Sequence, residues 1–114
     1  MDEILKRSLL YDFYGELLTD HQKEIYEQFV SEDLSLSEIA VTAGISRQGV
    51  HDLIKRCSKS LQEYEDKLHL VERFLLVKEK VRQIEEAAEQ YDSIPAAEFA
   101  QRIRQISSEI IEEL

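Results

Sequence analysis

The stretch Leu34–Cys57, LSLSEIAVTAGISRQGVHDLIKRC, has the pattern of a helix-turn-helix. Ser35 and Glu38 stand in the S-x-x-E arrangement of a capping box, which satisfies two backbone N–H groups at a helix start. Gly44 follows one short helix later and suits a helix end, because glycine adopts positive φ without strain. Ser46 is then a good N-cap for a second helix. The sequence therefore predicts two short capped helices joined by a tight turn.

Apolar residues at helical spacing give each of these two helices an inner face. The predicted inner residues are Leu36, Ile39, Ala40 and Ala43 in the first helix and Val50, Leu53 and Ile54 in the second. The residues left outside on the second helix are Arg47, Gln48, His51, Asp52 and Lys55. Arg pairs bidentately with guanine and Gln with adenine, so this face suits a DNA major groove. An ordinary helical hairpin would show the same caps and remains the alternative.

The charge distribution favours one segment for contact with nucleic acid. The formal net charge of the 114 residues is -10, which opposes binding to phosphate. Residues 36–60 nevertheless carry four Lys or Arg against two acids, whereas the segments on either side are acidic. The basic segment coincides with the predicted second helix and its continuation. We therefore expect weak, salt-sensitive DNA binding from a monomer, which dimerisation or a tethering partner would strengthen.

The composition favours helices and gives no sign of enzyme chemistry. With 3 Gly and 1 Pro, a turn-rich β fold is disfavoured. The three histidines and the single cysteine, Cys57, lack metal-ligand spacing, and no glycine-rich phosphate loop or nucleophile elbow is present. Cys57 lies on an apolar stripe and is expected to be a buried thiol. We expect a non-enzyme without cofactor or metal. Since no apolar run is long enough to span a membrane and no signal-peptide pattern is present, we expect a cytoplasmic protein.

The N-terminal third is predicted to supply two further helices. The first covers Asp2–Leu18, with an inner stripe at four-residue spacing. That stripe consists of Leu5, Leu9, Phe13 and Leu17, widened by Leu10 and Tyr14. Thr19 and Gln22 form a second capping box and open the next helix. The clustered aromatic side chains Tyr11, Phe13 and Tyr14 serve either core packing or base stacking, and their acidic neighbours favour the core.

The C-terminal half is predicted to hold two long helices. Between Ser46 and Pro95 only Gly49 interrupts the helical pattern, so one long helix continues the second helix of the helix-turn-helix, with a bend near Ser58–Ser60. The role of Gly49, either close packing or approach to a ligand backbone, stays open. Ser93 or Ile94 caps a final helix, which folds back antiparallel on the long one. Apolar spacing of about 3.5 residues indicates helix pairing, within the chain or in a homodimer.

Several motifs resemble a known family. The stretches DFY (12–14), LLT (17–19), SLSEIA (35–40), SRQGVHDLIKR (46–56) and YEDKLHL (64–70) are similar to the YlxM-like proteins of Gram-positive bacteria. The helix-turn-helix itself resembles region four of bacterial sigma factors. The resemblance covers roughly residues 9–76. It implies a helix-turn-helix regulator linked to the signal recognition particle pathway, because genes of this family neighbour that of the pathway's GTPase.

Together these observations predict an all-α, sigma region-four-like helix-turn-helix bundle with long C-terminal helices. We expect residues 1–60 to form the N-terminal bundle, with the helix-turn-helix at 35–57, and residues 61–114 to form an antiparallel helical extension. The predicted function is DNA-binding regulation. The alternative is a docking module that binds a component of the targeting machinery and no DNA. The predicted contacts to double-stranded DNA are Ser46, Arg47, Gln48, His51, Lys55, Arg56 and Lys59.

Overall fold

The computed structural model describes residues 2–114, and its elements confirm the all-α prediction. Six helices follow one another, without a strand in the described part of the chain. They are α1 (Glu3–Tyr14), α2 (Asp20–Val30), α3 (Leu36–Ala43), α4 (Arg47–Leu68), α5 (Leu70–Glu89) and α6 (Ala96–Glu113). Short 3-10 turns at Gly15–Leu17 and Tyr91–Ser93 follow α1 and α5. The chain divides into two units, of which the first ends at His69 and the second covers Leu70–Leu114.

In the first unit, α4 packs against α1, α2 and α3. Its buried side chains recur at helical spacing and form the centre of the core: Val50, Leu53, Ile54, Cys57 and Leu61. Two hydrogen bonds between side chains add to this packing. Tyr26 Oη and Ser58 Oγ lie 2.8 Å apart, and Tyr14 Oη donates to Glu65 Oε1 at 2.6 Å. These bonds hold the C-terminal half of α4 against α1 and α2, and the opposite side of the helix faces solvent.

The first helix is shorter than predicted, and its inner stripe is confirmed only at Leu10 and Tyr14, because Phe13 is exposed with Leu5 and Leu17. α1 ends at Tyr14, and the chain turns through Gly15–Leu17 before α2. Leu10, Tyr14 and Leu18 are buried, whereas Leu5 and Leu17 are exposed. A Cβ on Gly15 would come within 2.9 Å of the Tyr11 ring, so any larger residue in this turn would displace that ring. The register of the buried stripe is therefore one residue later than the most regular apolar spacing suggested.

The prediction of one uninterrupted helix after Ser46 is also wrong. α4 continues without a break through Ser58–Ser60 and ends at Leu68, and His69 adopts φ 56°. The His69 N–H donates to the Glu65 carbonyl at 2.9 Å and closes α4. Histidine is among the non-glycine residues that adopt this left-handed conformation more often than most. The break carries no Gly or Pro signal, which explains why the helical pattern concealed it.

In the second unit, α5 and α6 lie antiparallel. Gln90, after the end of α5, accepts a hydrogen bond from Arg102 at 3.2 Å, and Lys80 forms an ion pair with Glu109 at 2.5 Å. The predicted side-chain cap at Ser93 or Ile94 is wrong, because α6 has Pro95 as its N-cap without a side-chain hydrogen bond. Proline disfavours helical backbone in the preceding residue, and Ile94 is accordingly extended.

We expect the change Gly44→Ala to lower the free energy of unfolding by about 1 kcal/mol, because an L side chain is strained in left-handed backbone. Gly44 has φ 70°, and a Cβ there would meet no atom within 4 Å, so only the backbone strain is changed. Urea unfolding followed by circular dichroism measures the effect. Gly44→Asn is the matched control and should cost less, because asparagine tolerates this conformation. Equal costs for Ala and Asn would contradict the explanation.

We also expect Glu109 to make part of the stability depend on pH. Hydrogen bonds from Lys80 and Gln105 hold the pKa of the Glu109 carboxyl below its usual 4.5. A carboxyl with a lowered pKa stabilises the fold above its unfolded pKa, and this contribution is lost as the pH falls through the folded value. The melting temperature of Glu109→Gln should therefore fall less steeply below pH 4.5 than that of the wild type.

The control for this experiment is Glu85→Gln, which removes an equal charge from an exposed residue of the same hairpin. Glu85 has no ion pair in the described part of the chain. Its variant should keep the wild-type pH dependence. If both variants changed the dependence equally, net charge rather than the Lys80 contact would be the cause.

Candidate nucleic-acid interface

The helix-turn-helix has the capping geometry that its sequence predicts. Ser35 Oγ accepts from the Glu38 N–H, and the Glu38 side chain accepts from the Ser35 N–H, both at 3.1 Å. Gly44 lies in the left-handed region and donates its N–H to the Ala40 carbonyl. Ser46 Oγ accepts from the Gly49 N–H at 2.9 Å and so opens α4. Each end of the turn is therefore satisfied by local hydrogen bonds, which fixes the direction in which α4 leaves it.

Gly49 has a packing explanation. A Cβ at this position would lie 3.1 Å from Ser46 Oγ and 3.8 Å from the Ile45 side chain. The space that a larger residue would need is taken up by the capping hydroxyl and by Ile45. The sequence left two roles open for Gly49, namely close packing and approach to a ligand backbone. The structure supports close packing at the start of α4.

All seven residues predicted to contact DNA are exposed. They are Ser46, Arg47, Gln48, His51, Lys55, Arg56 and Lys59. Arg47, His51, Lys55 and Lys59 follow one another at four-residue spacing, which places them in one ridge along α4. We call these four residues the basic ridge. It extends over thirteen residues, and the twelve steps between Arg47 and Lys59 correspond to about 18 Å of helix.

The cationic groups of the basic ridge are available for a partner. In the described part of the chain, Arg47, Lys55 and Lys59 form no ion pair, and neither does the adjacent Arg56. By contrast, Lys23 is paired with Glu16, Lys80 with Glu109, and Arg82 with both Glu79 and Glu86. The unpaired cations Arg47, Lys55, Arg56 and Lys59 therefore all lie on the exposed side of α4.

Ser46 and Gln48 are already engaged within the helix. Ser46 Oγ is the N-cap acceptor, and Gln48 Nε2 donates to Asp52 Oδ1 at 3.0 Å. His51 Nδ1 lies 3.5 Å from the same Asp52 oxygen. Asp52 was expected on the outward face, yet it was not among the predicted contact residues. The four-residue spacing from Gln48 was the sequence signal that could have placed it there.

The clustered aromatic side chains near the N-terminus belong largely to the core. The Tyr11 and Tyr26 ring centroids lie 5.7 Å apart, and those of Tyr14 and Tyr64 lie 6.0 Å apart. Tyr14 and Tyr26 are buried. Burial, together with the neighbouring Glu27 carboxylate, raises the pKa of Tyr11 to about 12. Packing accounts for Tyr14, whose buried ring has no free face for base stacking, whereas Phe13 is 37% exposed.

The single cysteine belongs to the core of the first unit. Cys57 is buried, and burial raises the pKa of its thiol, which disfavours the reactive thiolate. Among residues 2–114, no group of three or more His, Cys, Asp or Glu side chains could hold a metal ion. A groove of about 430 Å³ between α5 and α6 is lined mainly by Gln, Glu and Arg side chains. No helix in the described chain is long and apolar enough to cross a membrane.

Comparison with known proteins agrees with the helix-turn-helix fold. Residues 1–101 match the family UPF0122, whose description reads "Putative helix-turn-helix protein, YlxM / p13 like". A UPF0122 protein of Caldanaerobacter subterraneus subsp. tengcongensis is 49% identical over 85 residues, covering 75% of this chain and 73% of the relative. One from Acetivibrio thermocellus is 40% identical over 116 residues, covering 98% and 99%. One from Clostridium kluyveri is 40% identical over 104 residues, covering 91% and 94%. The chain therefore belongs to the UPF0122 family of YlxM/p13-like helix-turn-helix proteins.

Proposed function

We propose that the protein binds double-stranded DNA as a regulator, with the N-terminal part of α4 in the major groove. The observation that carries this proposal is the basic ridge, which is exposed and lies on the second helix of a capped helix-turn-helix, with Arg47, Lys55 and Lys59 forming no ion pair in the described residues. In this motif the start of the second helix faces base edges. Arg47 and Gln48 stand there, and their side chains suit guanine and adenine respectively.

The later residues of the face are assigned to the DNA backbone. Lys55, Arg56 and Lys59 stand two to three turns further along α4, beyond the first turn that enters the groove. Flexible cationic side chains at such positions suit phosphate oxygens, which fix the register of a protein on the duplex. Each phosphate that they neutralise makes binding weaker in added salt, with a slope of about 0.9 per contact. The net charge of -10 limits the affinity of one chain.

A homodimer would overcome this limit, and the second unit offers a surface for it. In Leu70–Leu114 only Val71, Ala87 and Ile106 are buried apolar side chains. The helical stripes of the hairpin leave Val77, Val81, Ile84, Ile103 and Ile110 half-buried or exposed. Two long antiparallel helices form half of a four-helix bundle, which a second copy would complete. Such a dimer would also present two recognition helices to a two-fold symmetric site.

A second function, docking to a protein, is favoured by a different observation. Residues 61–114 carry thirteen acids against seven bases, so this part of the chain suits a basic partner. A component of the signal recognition particle machinery is the partner that the family resemblance implies. The fold alone does not decide between the two functions, because one fold supports many sites.

We expect the double substitution Arg47→Ala/Lys55→Ala to abolish selection of a site from a random double-stranded DNA pool at low salt. Loss of one base-reading arginine should cost about 1–3 kcal/mol, and loss of the phosphate contact should reduce the salt slope by about 1. The control is Lys67→Ala/Arg104→Ala, which removes the same charge from exposed residues outside the basic ridge. This control should retain site selection.

No enriched site for the folded wild-type protein would contradict DNA binding. In that case the docking function makes a separate prediction. Pull-downs with the targeting machinery should succeed equally with the wild type and with Arg47→Ala/Lys55→Ala, because the acidic residues that would meet the partner are unchanged.

We expect light scattering to give twice the chain mass for the wild type and the single mass for Val81→Glu. Val81 is 44% exposed on α5, so a charge there is tolerated in the monomer but not within an apolar bundle. Val41→Glu is the matched control, since Val41 is 84% exposed in the first unit. It should stay dimeric. A monomeric wild type at high concentration would exclude the proposed bundle.

A further inference from the structure

Asp52 is a carboxylate in an otherwise basic surface. Between Arg47 and Lys59 it is the sole acid, against four Lys or Arg. Its side chain is 56% exposed. A carboxylate in this position repels phosphate and weakens general attraction to DNA. Removal of the Asp52 carboxylate would strengthen the attraction to DNA. A role in recognition would explain why an acid is nevertheless present on this surface.

The contacts of Asp52 lie on the same face of α4. Its Oδ1 accepts from Gln48 Nε2 at 3.0 Å and lies 3.5 Å from His51 Nδ1. Gln48 and Asp52 are one helical turn apart, and both side chains are exposed, so their hydrogen bond contributes little to folding stability. Its main physical effect is on the orientation of the Gln48 side chain.

The orientation of the Gln48 amide follows from the chemistry of its partner. An ionised carboxylate only accepts hydrogen bonds, so it selects the amide nitrogen and turns the amide oxygen away. One hydrogen of Nε2 is used by Asp52, while the second hydrogen and Oε1 stay available. These two groups are the donor and acceptor with which glutamine binds N7 and the N6 amino group of adenine.

We infer that Asp52 is a positioning residue for base recognition. Its Oδ1 atom accepts a hydrogen bond from the Gln48 amide and so holds that amide in the orientation needed to bind adenine in the major groove. This inference rests on the proposed DNA-binding function. Asp52 acts through Gln48, so its effect appears in discrimination between bases. Its effect on general affinity has the opposite sign, because loss of the carboxylate removes a repulsive charge.

The test is a double-substitution cycle on discrimination. Wild type, Asp52→Ala, Gln48→Ala and the double variant are each used in selection from a random double-stranded DNA pool. Binding to the selected site is then compared with binding to sites altered at one base pair. We expect Asp52→Ala to reduce discrimination at one A·T pair at least fivefold while binding to random DNA stays equal or becomes tighter. Gln48→Ala should lose the same preference, and adding Asp52→Ala should change discrimination no further.

The matched control is Glu63→Ala, which removes an exposed acid from the same helix beyond Lys59. It should change binding to all sequences alike and leave the base preference intact, and circular dichroism verifies that each variant is folded. An unchanged site for Asp52→Ala, or a further loss in the double variant, would overturn the positioning role alone. No enriched site for the wild type would overturn this inference together with the proposed function.

Discussion

The structure of the first unit depends on the burial of one side of α4. Val50, Leu53, Ile54, Cys57 and Leu61 are almost fully excluded from solvent. Because these side chains recur every three or four residues, their burial fixes the rotation of the helix about its axis. The residues on the opposite side of α4 therefore face solvent. The basic ridge is therefore a consequence of core packing, and the same apolar contacts that fold the unit also orient its candidate recognition surface.

Local hydrogen bonds determine where this packed helix begins. Capping at Ser35 and Ser46, together with left-handed backbone at Gly44, satisfies backbone groups that would otherwise be left without partners at the turn. Gly49 allows the Ser46 hydroxyl to approach the helix start closely. In the DNA-binding role that we propose, a helix whose first turn is fixed in this way would present Arg47 and Gln48 with little conformational loss on binding. This preorganisation matters in a chain of net charge -10, where long-range attraction to DNA is weak.

The second unit is held together by a smaller buried core and by polar contacts. A hairpin of two long helices has one interface, between α5 and α6, and this interface buries few side chains completely. Polar contacts support it, including the Lys80–Glu109 ion pair and the Arg102–Gln90 hydrogen bond. The half-exposed apolar stripes distinguish this unit from the first one, whose core surrounds α4 on several sides. The homodimer that we propose would cover this apolar surface.

Much of the fold was determined by the sequence alone, because its signals are local. The capping boxes at Thr19 and Ser35, the glycine at position 44 and the cap at Ser46 each concern residues within four positions of one another. The inner face of α4 and the exposure of the candidate contact residues follow from helical spacing in the same way. Three features depended on the tertiary structure, because no local sequence pattern specifies them. The buried stripe of α1 depends on which side chains fit against α4, and the end of α4 at His69 depends on a left-handed residue without a Gly or Pro signal. The contact between Asp52 and Gln48 depends on rotamers that spacing permits but does not dictate, so only the folded helix showed an acid within the candidate recognition surface.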